Sequence, residues 1–147
     1  MLKGIPATLT PDLLWTLAAM GHGDALTVVD ANYPAHSLHK RVVTIAGTPL
    51  VQLVEDIATF FPLDTFVQPA VFRMTPDGDP DFVAEVHRDV EAALVRAAAR
   101  DIVLAPLERI AFYAAARESF AVVATTDVVA FGCFVLTKGV VTAAAEA

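Results

Sequence analysis

The sequence predicts an α/β fold of three layers, with helices on both faces of a mostly parallel or mixed sheet. Short apolar runs rich in β-branched residues alternate with helix-length amphipathic segments, the order that builds layered α/β domains. The runs are continuously apolar rather than alternating, as in strands buried on both faces. With 147 residues and 56% hydrophobic content, the chain can bury one core but not two. No repeat or linker-like stretch divides it, so residues 1–147 read as a single domain.

The elements follow in order. Leu13, Leu14, Leu17 and Ala18 keep helical spacing after Thr10-Pro11-Asp12, an N-cap, a first-turn proline and an acid favoured by the helix dipole. Gly21 is the expected stop. Ala25–Val29 reads as a buried strand ending at Asp30, and ANYPAHSLHK as a loop. Arg41–Ala46 reads as a strand, and Thr48-Pro49 starts a helix through Leu50, Leu53, Val54 and Ile57 toward Phe61-Pro62. Val67–Met74 is strand-like and ends in the turn signal TPDGDP. Asp79-Pro80 then opens the longest helix, whose apolar stripe is Phe82, Val86, Val90, Leu94 and Ala97. A strand at Ile102–Leu104, a helix over Glu108–Glu118 and strands at Phe120–Thr125 and Phe131–Thr137 complete the fold. The TAAAEA tail is expected to fray or to dock on a neighbour.

Composition narrows the function. The formal charge is −7 and the ten Lys and Arg residues form no stripe, which argues against a nucleic-acid partner. The longest apolar stretch, Val128–Leu136, falls short of the roughly 18 residues needed to cross a bilayer. The start MLKGIPATLTP shows no secretory signal. Cys133 is the only cysteine, which rules out an internal disulfide or a multi-cysteine zinc site and fits a reducing cytoplasm. The apolar surplus is expected to be buried between copies of the chain.

In doubly covered sheets, ligand sites gather where strands end. Asp30 stands at such an end, and His22, between two glycines, follows the first helix. His22 suits a general acid or base, since histidine gains and loses protons near neutral pH; capping helix carbonyls is the structural alternative. Asp30 could bind sugar hydroxyls, ligate a metal or cap a turn. His22, Asp24, Asp30 and His36 match no metal-ligand spacing, so no metal is expected. Arg109 lies near a helix start, where a cation is disfavoured; its partner is either Glu108 or Asp101, or a ligand oxygen. Tyr113 lies one turn on and leans over the same surface or into the core. Cys133 reads as inert packing. Glycine-rich phosphate loops and nucleophile elbows are missing, which removes support for nucleotide and acyl-transfer chemistry.

MGHGDALTVVDANYPAHS, Leu63-Asp64, ERIAFYAAARESFAVV and FGCFVLTKGV together, in one register from Met1 to about Val140, resemble the RbsD/FucU family of L-fucose mutarotases and D-ribose pyranases. Pro34–Ser37 and Ala111-Phe112-Tyr113 bring the chain nearer the fucose mutarotase branch. The resemblance implies a three-layer α/β/α fold and a ring-shaped homo-oligomer, commonly a decamer, with sites shared between neighbours. It also implies cofactor-free interconversion of monosaccharide anomers. By the same resemblance His22 is the proton donor, and Asp30, Arg109 and Tyr113 bind substrate. Phe131, Gly132 and Cys133 stand where the family carries Tyr-Gly-Asn, so two sugar-binding polar side chains are replaced. That replacement keeps two alternatives open, a non-catalytic sugar-binding or regulatory ring and a D-ribose pyranase.

Overall fold

The structure, a computed structural model, describes residues 2–143. Six strands form one sheet in the order β2-β5-β1-β6-β3-β4. They are β1 (Ala25–Val29), β2 (Val42–Ile45), β3 (Val71–Thr75), β4 (Leu104–Glu108), β5 (Ala121–Thr125) and β6 (Phe134–Thr137). β1 pairs in parallel with β5, β5 with β2 and β3 with β4, whereas β6 is antiparallel to both β1 and β3. Five strands therefore point one way. Their C-terminal ends share one rim of the sheet with the start of β6, and their N-terminal ends share the other rim with its finish.

Helices α1 (Pro11–Ala19), α3 (Leu50–Phe60) and α4 (Glu85–Ala98) pack on one face, burying Leu13, Leu53, Ile57, Val90 and Leu94 against Leu26, Val28, Val123 and Phe134. The short α2 (Ala35–Leu38) and α5 (Arg109–Arg117) cover the other, where Phe112 and Ala116 meet Val29, Val122 and Val135. This is the three-layer sandwich the alternating pattern implied. The strand residues point alternately to the two cores, which is why each strand reads as apolar throughout.

The boundaries differ from the sequence reading where a tertiary partner outweighs a local signal. Thr10 does cap α1, accepting from the Leu13 amide. The helix does not stop on a left-handed Gly21, however; Met20 turns extended, and Lys138 Nζ donates to the Leu17 and Met20 carbonyls at 2.7 and 2.6 Å. α3 is capped not by Thr48 but by Asp127, whose Oδ2 accepts from the Leu50 amide at 2.8 Å. The ANYPAHSLHK loop contains the one-turn α2. α4 starts at Glu85 rather than at Pro80, because His87 Nδ1 accepts from the Ala84 amide and closes the first turn there. β3 begins at Val71, and β4 runs on to Glu108 because it pairs residue by residue with Val71–Thr75. β6 begins at Phe134, leaving Phe131–Cys133 as a bend. Ala144–Ala147 of the tail lie outside the described residues.

Candidate functional site

Most of the residues picked out in the sequence meet at the rim formed by the strand C-termini. Asp30 follows β1, and its burial is offset by four donors. Oδ1 accepts from the Asn32 and Tyr33 amides at 2.9 and 3.2 Å. Oδ2 accepts from the Gly132 amide at 3.2 Å and from the Cys133 thiol at 3.6 Å. Burial pushes the carboxyl upward from its ordinary value, and these donors work against that shift. Asp30 thereby ties the end of β1 to the bend that opens β6.

The bend itself is unusual. Phe131 has φ 59°, in the left-handed region that bulky residues rarely adopt. Buried His87 holds it there. With Nδ1 accepting from Ala84, the imidazole proton sits on Nε2, which donates to the Phe131 carbonyl at 3.0 Å. Phe82 packs on both rings, 5.1 Å from Phe131 and 6.1 Å from His87. Gly132 follows because a Cβ there would stand 2.8 Å from the Val129 side chain. The Phe131 ring, Ala130, Cys133 and Met74 then form an apolar wall, and Asp30, Asn32, Tyr33 and Tyr113 the polar remainder, of a cavity of about 220 Å³.

Tyr113 on α5 meets Tyr33 edge to face at 5.2 Å, and the Arg109 guanidinium lies 5.7 Å from the Tyr113 ring. Arg109 has neither Glu108 nor Asp101 as its partner. Its Nε and Nη2 donate to Asp77 Oδ2 at 3.0 and 2.8 Å. Burial pushes the Tyr33 phenol up to about 12, so it is a neutral hydrogen-bonding group. Burial, and then the Asp30 charge, raises the Cys133 thiol well above its ordinary range, which makes it a weak donor and not a nucleophile.

His22 is not in this cavity. It stands at the opposite rim, before β1, and the strand between it and Asp30 spans on the order of 20 Å. There Nε2 lies 3.1 Å from Asp64 Oδ1, and the ring packs on Phe66 at 5.2 Å. The Asp64 side chain is 1% exposed and that of His22 44%. The Phe66 amide, ahead of His22 itself, holds the Asp64 carboxyl below its usual range, so Asp64 is an anion that orients the imidazole. With Nε2 committed to Asp64, Nδ1 is the nitrogen open to a ligand. Gly139 closes the backbone over this pair, since a Cβ there would stand 2.8 Å from the Leu63 carbonyl oxygen.

Sequence reasoning reached Asp64 only through the resemblance, and it passed over Tyr33, Met74 and His87. Tyr33 carried a signal, as an aromatic residue three positions after Asp30 in a strand-end loop. Met74 and His87 carried none, because each enters the site from an element remote in sequence. The chain therefore places the His22–Asp64 pair on one rim and the cavity lined by Asp30, Tyr33 and Tyr113 on the other.

The RbsD / FucU transport protein family matches residues 3–141. Fucose mutarotase of Danio rerio is 39% identical over 145 residues, covering 96% of this chain and 95% of that protein. L-fucose mutarotase of Haemophilus influenzae is 37% identical over 145 residues, covering 95% and 97%. Among solved structures, the Streptococcus pneumoniae fucose mutarotase in complex with L-fucose superposes with a TM-score of 0.87 at 31% identity, covering 96% of this chain and all of that one.

Proposed function

The chain belongs to the RbsD / FucU family, and we propose that it is a mutarotase that interconverts the α and β anomers of L-fucose. The observation that carries this reading is the near-full-length similarity to fucose mutarotases, joined to an oriented His22–Asp64 pair and a monosaccharide-sized cavity.

The reaction needs only proton transfers. An acid protonates the ring oxygen while a base takes the anomeric hydroxyl proton; the C1–O5 bond breaks to give the open aldehyde. Rotation about C1–C2 and reclosure then deliver either anomer. In our reading His22 supplies the proton from Nδ1, with Asp64 holding the ring through Nε2. Arg109 Nη1, Tyr113 and Asp30 hold sugar hydroxyls. A hydroxyl reaching Asp30 displaces the Cys133 thiol, the weakest of its four donors. Ala130, Phe131 and Met74 receive the apolar side of the sugar.

His22 and the cavity lie at opposite rims, so a working site joins the His22 rim of one copy to the cavity rim of the next. Such head-to-tail contacts close into rings when the rotation allows. Exposed apolar residues flank both rims: Phe66, Val67, Val103 and Val141 near His22, and Ile110 and Val128 near the cavity. The reading is therefore a ring of single-domain subunits, working in the cytoplasm on a free monosaccharide.

NMR exchange spectroscopy tests it. We expect the wild-type chain to speed α/β exchange of L-fucose more than ring-size exchange of ribose, and His22→Ala to slow the fucose reaction by about 10²-fold or more, the usual share of one acid–base group. Binding of fucose without faster exchange would instead identify a sugar-binding ring, which the apolar Phe131 wall would suit.

A further inference from the structure

A second and larger cavity, of about 640 Å³, opens on the α2–α5 face and takes no part in the proposed reaction. It is lined by His39, Lys40, Arg41, Arg117, Ser119 and Phe120 among others, and no carboxylate is among its lining residues. In a chain of net charge −7, three of the ten Lys and Arg residues converge here. Other arginines have found acidic partners, Arg96 with Glu55 and Arg109 with Asp77. Among the described residues, none of Lys40, Arg41 and Arg117 has a carboxylate within ion-pair distance.

One of these cations is also held in place. Arg41 lies over the Phe120 ring, 4.0 Å from its centroid, and donates from Nη1 to the Phe120 carbonyl, which commits only part of its five-donor fork. Arg117 ends α5, where the helix dipole favours a cation. Ser119 and His39 add neutral hydrogen-bonding groups; burial and then the Arg117 charge lower His39 from its ordinary value. Three positive charges around one cavity, beside the Ser119 hydroxyl that pairs with Thr27 and the His39 ring that pairs with Tyr33, match an oxyanion with several acceptor oxygens.

We propose that this cavity binds an anion of the phosphate class, either free phosphate or the phosphate group of a phosphorylated sugar. It is separated from the fucose cavity by one aromatic pair. The His39 ring stacks on Tyr33 at 5.6 Å with Nε2 2.8 Å from the phenol oxygen, and Tyr33 lines the other cavity.

Calorimetric titration of the intact protein with inorganic phosphate, and separately with a hexose 6-phosphate, tests the assignment, with the His39 imidazole NMR signals as a local reporter. We expect saturable binding that weakens with added salt and moves the His39 signals. Binding should fall at least tenfold in the doubly substituted Lys40→Gln/Arg117→Gln chain, survive in Arg117→Lys, and be unchanged in Arg88→Gln, which removes a cation elsewhere. Equal affinity for the two probes identifies free phosphate; binding of the hexose phosphate alone identifies a phosphorylated sugar. No saturable binding of either probe, or equal binding by the double variant, overturns the proposal. The readout is anion binding itself, so it stands whether or not the fucose reading fails.

Discussion

His22, Asp30 and His87 each depend on a fixed hydrogen-bond partner, and each fails differently when that partner is removed. His87 is the sharpest case. Burial lowers its pKa from its ordinary value, and its neutral tautomer spans Ala84 and Phe131. Between the lowered folded value and the unfolded value of about 6.5, the unfolded chain binds more protons, so stability falls as pH drops through that window. Urea unfolding should show this loss below about pH 6.5, and His87→Gln should lack that part of it. An identical pH profile in the variant would disprove the tautomer assignment. Asp30→Asn should cost about 1–3 kcal/mol in the same measurement, because an amide nitrogen facing two of the four donors leaves buried groups unpaired. The chemistry of His22 and Asp30 was legible in the sequence only as residue type; their partners, Asp64 and the Phe131–Cys133 bend, are 42 and about 100 positions away along the chain.

Among the elements, strands and helices were legible because each buries a face, and a buried face leaves a pattern in apolar spacing. β1 emerges with the predicted bounds, and α5 and β5 within a residue or so of theirs. The misread boundaries share one physical cause. The proline at 49 and the glycine at 21 are local signals, whereas α3 is capped by Asp127 from beyond β5 and α1 by Lys138 from beyond β6. Phe131–Cys133 reads as strand because it is apolar, yet His87 and Asp30 pull it into a left-handed bend, and that bend makes the cavity. Asp127→Ala tests the capping account, since it frees the Leu50 and Val129 amides together. We expect a loss of about 0.5–2 kcal/mol in unfolding free energy, the usual range for an N-cap, with the fold retained by circular dichroism. An unchanged midpoint would mean that α3 is held by packing alone.

For the whole molecule, the apolar surplus of the sequence resolves into two cores and a set of exposed apolar side chains, several of them at the two rims. The layered fold follows from the pattern of runs, but the separation of His22 from Asp30 does not, since only three-dimensional strand direction puts them at opposite rims. In the proposed ring, the His22 rim of one copy completes the cavity of the next. Mixing two defective chains, His22→Ala and Tyr113→Ala, after co-refolding and following L-fucose anomer exchange by NMR, tests it most directly. If the site is shared, about a quarter of the sites in a random equal mixture combine an intact His22 with an intact cavity, and activity should return to about that fraction of wild type while each variant alone stays slow. A mixture as slow as its two parents would contradict the shared site.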